Sequence, residues 1–248
     1  MSRIIICGIN GKMGNHIYDV ATKRGHHVVC GVDLKMAGTA DCPVYSDFDQ
    51  VKEFADAVID FSSPNALDGL LRFAITNELP LVLGATGYTE KDEQTILSAS
   101  KKIPIFKSSN TSLAVNLLVK LCSIATKYLS GFDVEIIDKH HAQKKDSPSG
   151  TAKMLCNAIQ VASSEDLTAV YGRKGKGKRK SDEIGVHSIR GGTVVGEHSV
   201  LYLGENESLA LTHTAYSKEL FADGAIKACE FIIKQPCGKY DMNDLLPF

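Results

Sequence analysis

The 248-residue sequence predicts an α/β fold with a parallel sheet in the first domain and an α+β second domain. Over the first 107 residues, short apolar runs alternate with segments whose apolar residues recur at helical spacing, which is typical of a parallel sheet covered by helices. After Ser109 the pattern changes to a long helix followed by extended runs. We therefore expect one domain over 1–109, a second over 110–216, and a C-terminal helical segment, 217–248, that returns to the first domain.

The strands of the first domain are short apolar runs that end at glycine or at a polar residue. The first run, Ile4–Cys7, is followed directly by Gly8. The later runs are His27–Val32, Ala57–Phe61, Leu81–Gly84 and Ile103–Phe106. Parallel strands that alternate with helices form a sheet covered on both faces, so ligands are expected beyond the carboxyl ends of the strands.

The second domain is expected to begin with an amphipathic helix over 113–129. Its predicted buried stripe consists of Leu113, Leu117, Leu121, Ile124 and Tyr128. A strand at 134–137 and a helix from about Thr151 follow. Three extended runs over 184–213, separated by glycine-containing turns, predict a mixed or antiparallel sheet.

Composition argues against several classes of protein. The chain has 28 basic and 29 acidic residues, which disfavours a dedicated nucleic-acid-binding protein. No apolar run is long enough to predict a membrane span. Seven cysteines without a CxxC pair predict free thiols and a cytoplasmic location. The basic segment 173–180 is interpreted as a mobile surface loop near an anionic ligand, with a nucleic-acid or other anionic partner as the alternative.

A glycine-rich turn, GxxGxxG, joins the first strand to the first helix. Gly8, Gly11 and Gly14 allow the backbone to approach a pyrophosphate, and the helix N-terminus offers N–H groups and a positive dipole end. Asp33 ends the second strand, 19 residues after Gly14, where an acidic side chain binds a ribose hydroxyl. These features predict a Rossmann-type dinucleotide-binding domain; the alternative is a plain strand–turn–helix with a surface aspartate.

The choice of cofactor is predicted from the charges beside this turn. The carboxylate of Asp33 repels a 2′-phosphate, whereas Lys12 and Lys35 offset that repulsion. We therefore expect NADH to be used and NADPH to be tolerated. The turn over 84–87 is expected near the nicotinamide, with a purely structural turn as the alternative.

A histidine- and lysine-rich segment is the strongest candidate for chemistry. His140 and His141 follow a predicted strand, and Lys144 lies close behind them. The run 148–151 then opens a helix, whose first amides and hydroxyls suit a carboxylate. Histidine exchanges protons near neutral pH. Zinc is the competing interpretation, but adjacent residues point to opposite faces of a strand and no third ligand lies near in the sequence, so no metal is expected.

This segment resembles the dihydrodipicolinate (4-hydroxy-tetrahydrodipicolinate) reductase family of lysine and diaminopimelate biosynthesis. The family motif E-[IV]-x-E-x-H-H-x-x-K-x-D-x-P-S-G-T-A is similar to 135–152, with Asp138 in place of the second glutamate. The resemblance extends over nearly the whole chain, through 11–14, 59–64, 84–87, 110–116 and 190–198.

The resemblance implies an NADH- or NADPH-dependent reductase of a small dicarboxylate, with the homotetramer built through the sheet of the second domain. His140 would exchange the proton, and Lys144 would be a second proton donor. The implied substrate-binding residues are His141, Lys144, Ser149, Gly150 and Thr151. The implied cofactor-binding residues are Gly8, Ile9, Asn10, Gly11, Lys12, Met13, Asp33, Gly84, Ala85, Thr86, Ser109, Asn110, Thr111 and Ser112.

Departures from the family pattern occur in both predicted cofactor turns. Asn10 replaces a common glycine of the phosphate turn, and Ala85 replaces a usual threonine of the nicotinamide turn. Two other functions share the glycine turn and stay open. One is a different two-domain NAD(P)-dependent dehydrogenase of an amino or keto acid, and the other is a dinucleotide-sensing protein without turnover.

Overall fold

The computed structural model describes residues 1–35, 38 and 40–247. The chain divides into two compact units. One contains Met1–Leu113 together with the segment that begins at Lys218, and the other is Ala114–Ser217.

Strands and helices alternate along most of the chain. The strands are β1 (Arg3–Cys7), β2 (His27–Val32), β3 (Val44–Tyr45), β4 (Ala57–Asp60), β5 (Leu81–Leu83), β6 (Pro104–Lys107), β7 (Asp133–His140), β8 (Thr168–Tyr171), β9 (Glu183–Arg190), β10 (Gly196–Leu203), β11 (Ser208–Ala215) and β12 (Gly238–Tyr240). The α-helices are α1 (Lys12–Lys23), α2 (Leu67–Thr76), α3 (Glu90–Ala99), α4 (Leu113–Tyr128), α5 (Gly150–Ala162), α6 (Glu219–Ile232) and α7 (Met242–Leu245).

A parallel sheet forms the centre of the first unit, with the strand order β12-β6-β5-β4-β1-β2-β3. Ile4 and Ile6 of β1 face an apolar layer that includes α1 and α6, whereas Ile5 faces a layer that includes α2 and α3. Burial on both faces explains why this strand is an unbroken apolar run rather than an alternating one. The predicted Rossmann-type sheet is thus confirmed.

The second unit contains a five-stranded mixed sheet with the order β11-β10-β7-β9-β8. β7 and β8 are parallel to β9, whereas β10 is antiparallel to both β7 and β11. Helices α4 and α5 bury apolar side chains against one face of this sheet. The prediction of an α+β unit with a mixed sheet is therefore also confirmed.

The prediction of which side chains α4 buries is wrong. Leu117, Leu121, Ile124 and Tyr128 are exposed, the last by 83%. The side chains that α4 buries are Val115, Leu118, Cys122 and Thr126. The helix is apolar on more than one side, so periodicity alone permits two stripes, and packing against the sheet selects between them.

The cysteines behave as small apolar residues. Cys7, Cys30, Cys122, Cys156 and Cys229 are buried, and none of the seven forms a disulfide. Burial raises the pKa of Cys30 and of Cys122 to about 12, so these thiols stay protonated. Within the described part of the chain, no helix has the length and apolar character needed to cross a membrane.

Candidate active site

The buried face of β7 changes from apolar to polar toward the end of the strand. Val134 and Ile136 pack in the core of the second unit. Asp138 and His140 continue the same face, because side chains two residues apart on a strand point the same way. The strand runs three residues beyond its predicted end at Ile137, and this extension places His140 on the sheet rather than in a loop.

The neighbouring strands also carry polar residues at the positions that pair with Asp138. Asp138 pairs with Ser188 on β9 and with His198 on β10. His198 in turn pairs with His213 on β11. We call Ser188, Asp138, His198 and His213 the polar row, since they lie side by side across four strands. His140 lies one step further along, opposite Arg190.

The carboxylate of Asp138 is completely buried, and its two oxygens have different surroundings. Oδ2 accepts hydrogen bonds from the backbone N–H of Ser149 at 2.8 Å, from Arg190 Nη2 at 3.0 Å and from Ser188 Oγ at 3.2 Å. Oδ1 faces two imidazoles, with His140 Nδ1 at 2.7 Å and His198 Nε2 at 3.5 Å. The first of these contacts is close but does not have hydrogen-bond geometry.

These contacts keep the carboxylate of Asp138 ionised. Burial by itself raises its pKa, but the nearby His198 ring and the hydrogen bonds from the Ser149 amide and from Arg190 outweigh that effect. The pKa of Asp138 therefore lies well below its ordinary range.

The imidazole of His140 is neutral at pH 7 in this state of the protein. Burial is the main cause, and it lowers the pKa of His140 to about 4. The charge of Asp138 acts in the opposite direction, whereas His198, Lys144 and Arg190 lower the pKa further. A bound group that carries negative charge would act like Asp138 and raise the pKa of His140.

Ser149 begins α5 as its N-cap residue. Its Oγ accepts from the N–H of Ala152 at 3.2 Å and lies 3.0 Å from His198 Nε2. The residue is only 2% exposed, so its hydroxyl is occupied by the helix start and by the polar row. Gly150 is exposed and Thr151 is half-buried.

The other residues of the predicted substrate site lie in the segment between β7 and α5. His141 is half-buried, and its carbonyl accepts from the N–H of Lys144 at 3.1 Å. Lys144 Nζ forms an ion pair with Asp146 Oδ1 at 2.8 Å.

The partners that β9, β10 and β11 contribute are not predicted from the sequence. Arg190, Ser188, His198 and His213 have no role in that prediction, although the run 190–198 is part of the family resemblance. A signal was present, because the alternating apolar positions of β10, Tyr202 and Val200, are continued by a histidine.

The glycine turn of the first unit has a backbone conformation that depends on its glycines. Gly8 has a φ of +76°, which favours glycine. A Cβ on Gly14 would lie 2.0 Å from the carbonyl oxygen of Gly8, so the helix and the turn approach closely there. Gly11 is the N-cap of α1 and makes no side-chain cap hydrogen bond, which leaves the helix start suited to an anion.

Asp33 and Asn10 connect this turn to the segment after β2. Asp33 accepts from the N–H of Asn10 at 3.0 Å and from the N–H of Lys35 at 2.9 Å. The side chain of Asn10 donates to the carbonyl of Lys35. A pocket of about 1020 Å³ lies beside these residues, and its lining includes Gly8, Gly11, Asp33, Lys35, Ser62 and Arg72.

The predicted residues around the turn differ in exposure. Ile9 is 1% exposed and packs against Gly31, so its side chain belongs to the core. Lys12 is exposed and Met13 is half-buried.

The predicted nicotinamide turn also has structural roles. A Cβ on Gly84 would lie 2.2 Å from the ring of Phe61, which accounts for a glycine at this position. Ala85 is buried and Thr86 is exposed. The structure therefore supplies a packing reason for Gly84 that is independent of any cofactor.

The predicted segment 109–112 begins with Ser109, which is exposed. Asn110, Thr111 and Ser112 are buried. The hydroxyl of Thr111 donates to the carbonyl of Phe221 at 2.7 Å and so ties the segment to α6. The side chain of Asn110 accepts from the N–H of Ser112 at 3.0 Å.

The basic segment 173–180 is anchored at two arginines. Arg173 pairs with Glu183 at 2.8 Å, and Arg179 pairs with Asp133 at 2.7 Å and with Glu135 at 3.2 Å. The segment is exposed at every position except Arg179, as its composition predicts, but acidic side chains of β7 and β9 neutralise part of its charge.

These two units define a class of protein. A parallel sheet with a glycine turn and an acidic residue after β2 indicates a dinucleotide-dependent oxidoreductase. The mixed sheet adds a buried carboxylate and histidines beside a helix start, which is a setting for proton exchange with an anionic substrate.

Comparison with known proteins defines the family. Family profiles for the N- and C-terminal parts of dihydrodipicolinate reductase match residues 2–111 and 114–246. The chain is 48% identical to 4-hydroxy-tetrahydrodipicolinate reductase of Caldanaerobacter subterraneus and 43% identical to that of Clostridium tetani, over 99% of this chain and 98% and 97% of theirs. The chain therefore belongs to the dihydrodipicolinate reductase family, a family of NAD(P)H-dependent oxidoreductases, and the resemblance seen in the sequence is confirmed.

Solved structures share the fold at lower identity. Dipicolinate-bound dihydrodipicolinate reductase from Paenisporosarcina sp. TG-14 has a TM-score of 0.84 and 23% identity, with 99% of both chains covered. An amine dehydrogenase from Mycobacterium smegmatis has a TM-score of 0.65 and 11% identity, with 100% of this chain and 96% of that chain covered. These similarities support the architecture of both units.

Proposed function

We propose that this chain catalyses the NAD(P)H-dependent reduction of 4-hydroxy-tetrahydrodipicolinate to tetrahydrodipicolinate, with loss of the 4-hydroxyl group as water, in lysine and diaminopimelate biosynthesis. The observation that carries the proposal is the contact of His140 with the buried carboxylate of Asp138, beside the first turn of α5. Relatives that match 99% of the chain have this name, so a different dehydrogenase and a non-catalytic sensor are not favoured.

In this proposal the first unit binds the cofactor. Its phosphates would lie on the turn over 8–13, its adenosine ribose on Asp33, and its nicotinamide end near 84–86 and 109–112. The packing at Gly14 and the uncapped start of α1 support the pyrophosphate position. The cofactor supplies the hydride when it is bound.

The second unit would bind the two carboxylates of the substrate. We assign them to the amides of Gly150 and Thr151, the hydroxyl of Ser149, and the side chains of His141 and Lys144. A substrate carboxylate would displace Asp146 from Lys144, and the cost is small because Asp146 is 57% exposed. The dicarboxylate in the Paenisporosarcina enzyme supports an anionic substrate of this size.

His140 would exchange the proton of the reaction, with Lys144 as a second donor. The negative charge of a bound dicarboxylate raises the pKa of His140, so the imidazole gains a proton when substrate binds. The charge of Asp138 on the Nδ1 side stabilises the protonated form of the ring. A Cβ on Gly196 would lie 3.1 Å from Nε2, so glycine at this position keeps that side of the ring accessible.

We also infer a cytoplasmic homotetramer that assembles through the sheet of the second unit, with no nucleic-acid partner. The face of the sheet opposite α4 and α5 presents Ile189, which is 49% exposed, beside paired charged residues. Native mass spectrometry tests the assembly, and a monomer would contradict it.

Salt-dependent DNA binding would contradict the expectation that the protein has no nucleic-acid partner.

A coupled assay tests the reaction. Aspartate semialdehyde, pyruvate and the preceding synthase are mixed with the protein, and the oxidation of NADH or NADPH is followed by absorbance. Oxidation should require all components, and omission of pyruvate is the control. Failure to oxidise either cofactor while the synthase is active would overturn the proposed function.

A further inference from the structure

Three donor atoms, two from the polar row and one from the neighbouring His140, lie close together. Asp138 Oδ1, one ring nitrogen of His140 and one of His198 all lie within 4.8 Å of one another. All three side chains are nearly or completely buried. We propose that these residues form a Zn²⁺ site, and that the bound ion inhibits the enzyme by occupying His140.

His140 and His141 point to opposite faces of the strand, so they cannot share a metal ion. The other ligands of the site are brought to His140 by the strand face and by strand pairing. Asp138 lies two residues earlier on the same strand face, and His198 reaches the site across the antiparallel pairing of β7 and β10. Two imidazoles and one carboxylate are the ligand types of three-ligand zinc centres, which keep a fourth position open.

The separations between the donor atoms suit a small divalent ion. Asp138 Oδ1 lies 2.7 Å from His140 Nδ1 and 3.5 Å from His198 Nε2. Ligands about 2.0–2.2 Å from a tetrahedral Zn²⁺ are about 3.3–3.6 Å apart. The contact between Asp138 and His198 already has this spacing, whereas His140 must move away from Asp138 to reach it.

The carboxylate is already oriented for this role. Three donors hold Oδ2, namely the Ser149 amide, Ser188 Oγ and Arg190 Nη2, and they leave Oδ1 directed at the two rings. Neither Oδ1 nor His140 Nδ1 has a hydrogen-bond partner among residues 1–35, 38 and 40–247. Outer contacts that fix a ligand in this way strengthen metal binding.

Two features limit the affinity. Arg190 on Oδ2 and the nearby Lys144 repel a cation, and His198 Nε2 must exchange its contact with Ser149 Oγ for the metal. The site is therefore expected to be reversible, so that a chelator restores activity. The inhibition, though not the binding, rests on the proposed role of His140.

Cobalt binding to the intact protein tests the site without turnover. Co²⁺ is the probe, because its visible absorption reports nitrogen and oxygen ligands. We expect Asp138→Asn and His198→Gln to weaken binding by at least about tenfold. His187→Gln is the matched control, because His187 pairs with Glu135 at 2.6 Å on the opposite face of the same sheet.

The cobalt absorption spectra of the variants decide whether the proposed metal site exists. A band retained in His187→Gln and lost in His198→Gln supports the site, even if Asp138→Asn fails to fold. Equal binding by all variants, a lack of any band, or a thiolate spectrum from the cysteines overturns it.

The inhibition is tested with Zn²⁺ in the coupled assay, with enough synthase that doubling it leaves the rate unchanged. Zn²⁺ should inhibit the wild type and His187→Gln equally and reversibly, and the inhibitory concentration should rise about tenfold or more in His198→Gln. Cobalt binding without zinc inhibition overturns the inhibitory role. A protein without turnover before zinc is added contradicts the proposed function, and the cobalt spectra then decide the site alone.

Discussion

The glycine turn of the first unit and the polar row of the second are built in opposite ways. The turn is nearly continuous in sequence, and its shape is set by backbone at Gly8 and Gly14. The polar row takes side chains from four strands, with Asp138 and His198 sixty residues apart. A site formed by backbone requires that no Cβ atom blocks the close approach of chain segments, whereas a site formed by side chains requires the correct strand register. The two sites should therefore fail differently when mutated.

The largest effect is expected at His140. His140→Ala should lower turnover by about 100- to 10,000-fold, because it removes the proposed acid–base group. NADH binding, measured by fluorescence, should stay unchanged because the proposed cofactor residues belong to the other unit. Turnover close to wild type would remove His140 from the mechanism, and loss of NADH binding would break the separation of roles between the units.

Next in size is the loss of stability on removing the carboxylate at the centre of the polar row. Asp138→Ala should lower the free energy of unfolding by about 3–5 kcal/mol, because it leaves Arg190 partly buried without its partner. Asp146→Ala is the matched control and should cost at most about 1 kcal/mol, since Asp146 is largely exposed. Urea unfolding measures both, and similar values for the two variants would contradict the structural importance of Asp138.

The contrast between the two sites also explains which features the sequence could predict. The turn, Asp33 and the element order follow from local patterns, since glycine spacing and apolar runs are contiguous signals. His198 and Arg190 could not be placed beside His140 from local patterns, because strand order and register decide which residues meet. The prediction for the buried face of α4 is wrong for the same reason, namely that tertiary contacts decide it. Leu117 and Leu118 are equally apolar, and only tertiary packing distinguishes them.

A smaller effect concerns the pH dependence of stability. In the unfolded chain His140 has an ordinary pKa, whereas in the folded protein its pKa is about 4. As pH falls, the unfolded state takes up the proton first, so stability decreases between about pH 6.5 and pH 4, by up to about 3 kcal/mol. The lowered pKa of Asp138 acts in the same direction at lower pH, because its carboxylate protonates first in the unfolded chain.

His140→Gln tests this assignment. The variant should show a flatter stability profile between pH 6.5 and pH 4 when unfolding is measured in urea at each pH. An unchanged slope would mean that His140 titrates normally in the folded protein.

The smallest effect on stability is expected at the glycine turn, although its consequence for binding is direct. Gly14→Ala should cost about 1–3 kcal/mol, because its Cβ would meet the backbone of Gly8 and Ile9 at 2.0 and 2.6 Å. The turn must then shift, and NADH affinity should fall with it.

Gly69→Ala on α2 is the control for Gly14→Ala. Its Cβ would make an ordinary contact with Phe48 at 3.4 Å, and alanine favours the helix, so stability should be unchanged or higher. If Gly14→Ala binds NADH as tightly as Gly69→Ala does, close packing of the turn does not determine the cofactor site. The proposed difference between a site set by backbone packing and one set by side chains would then lose its support from the glycine turn.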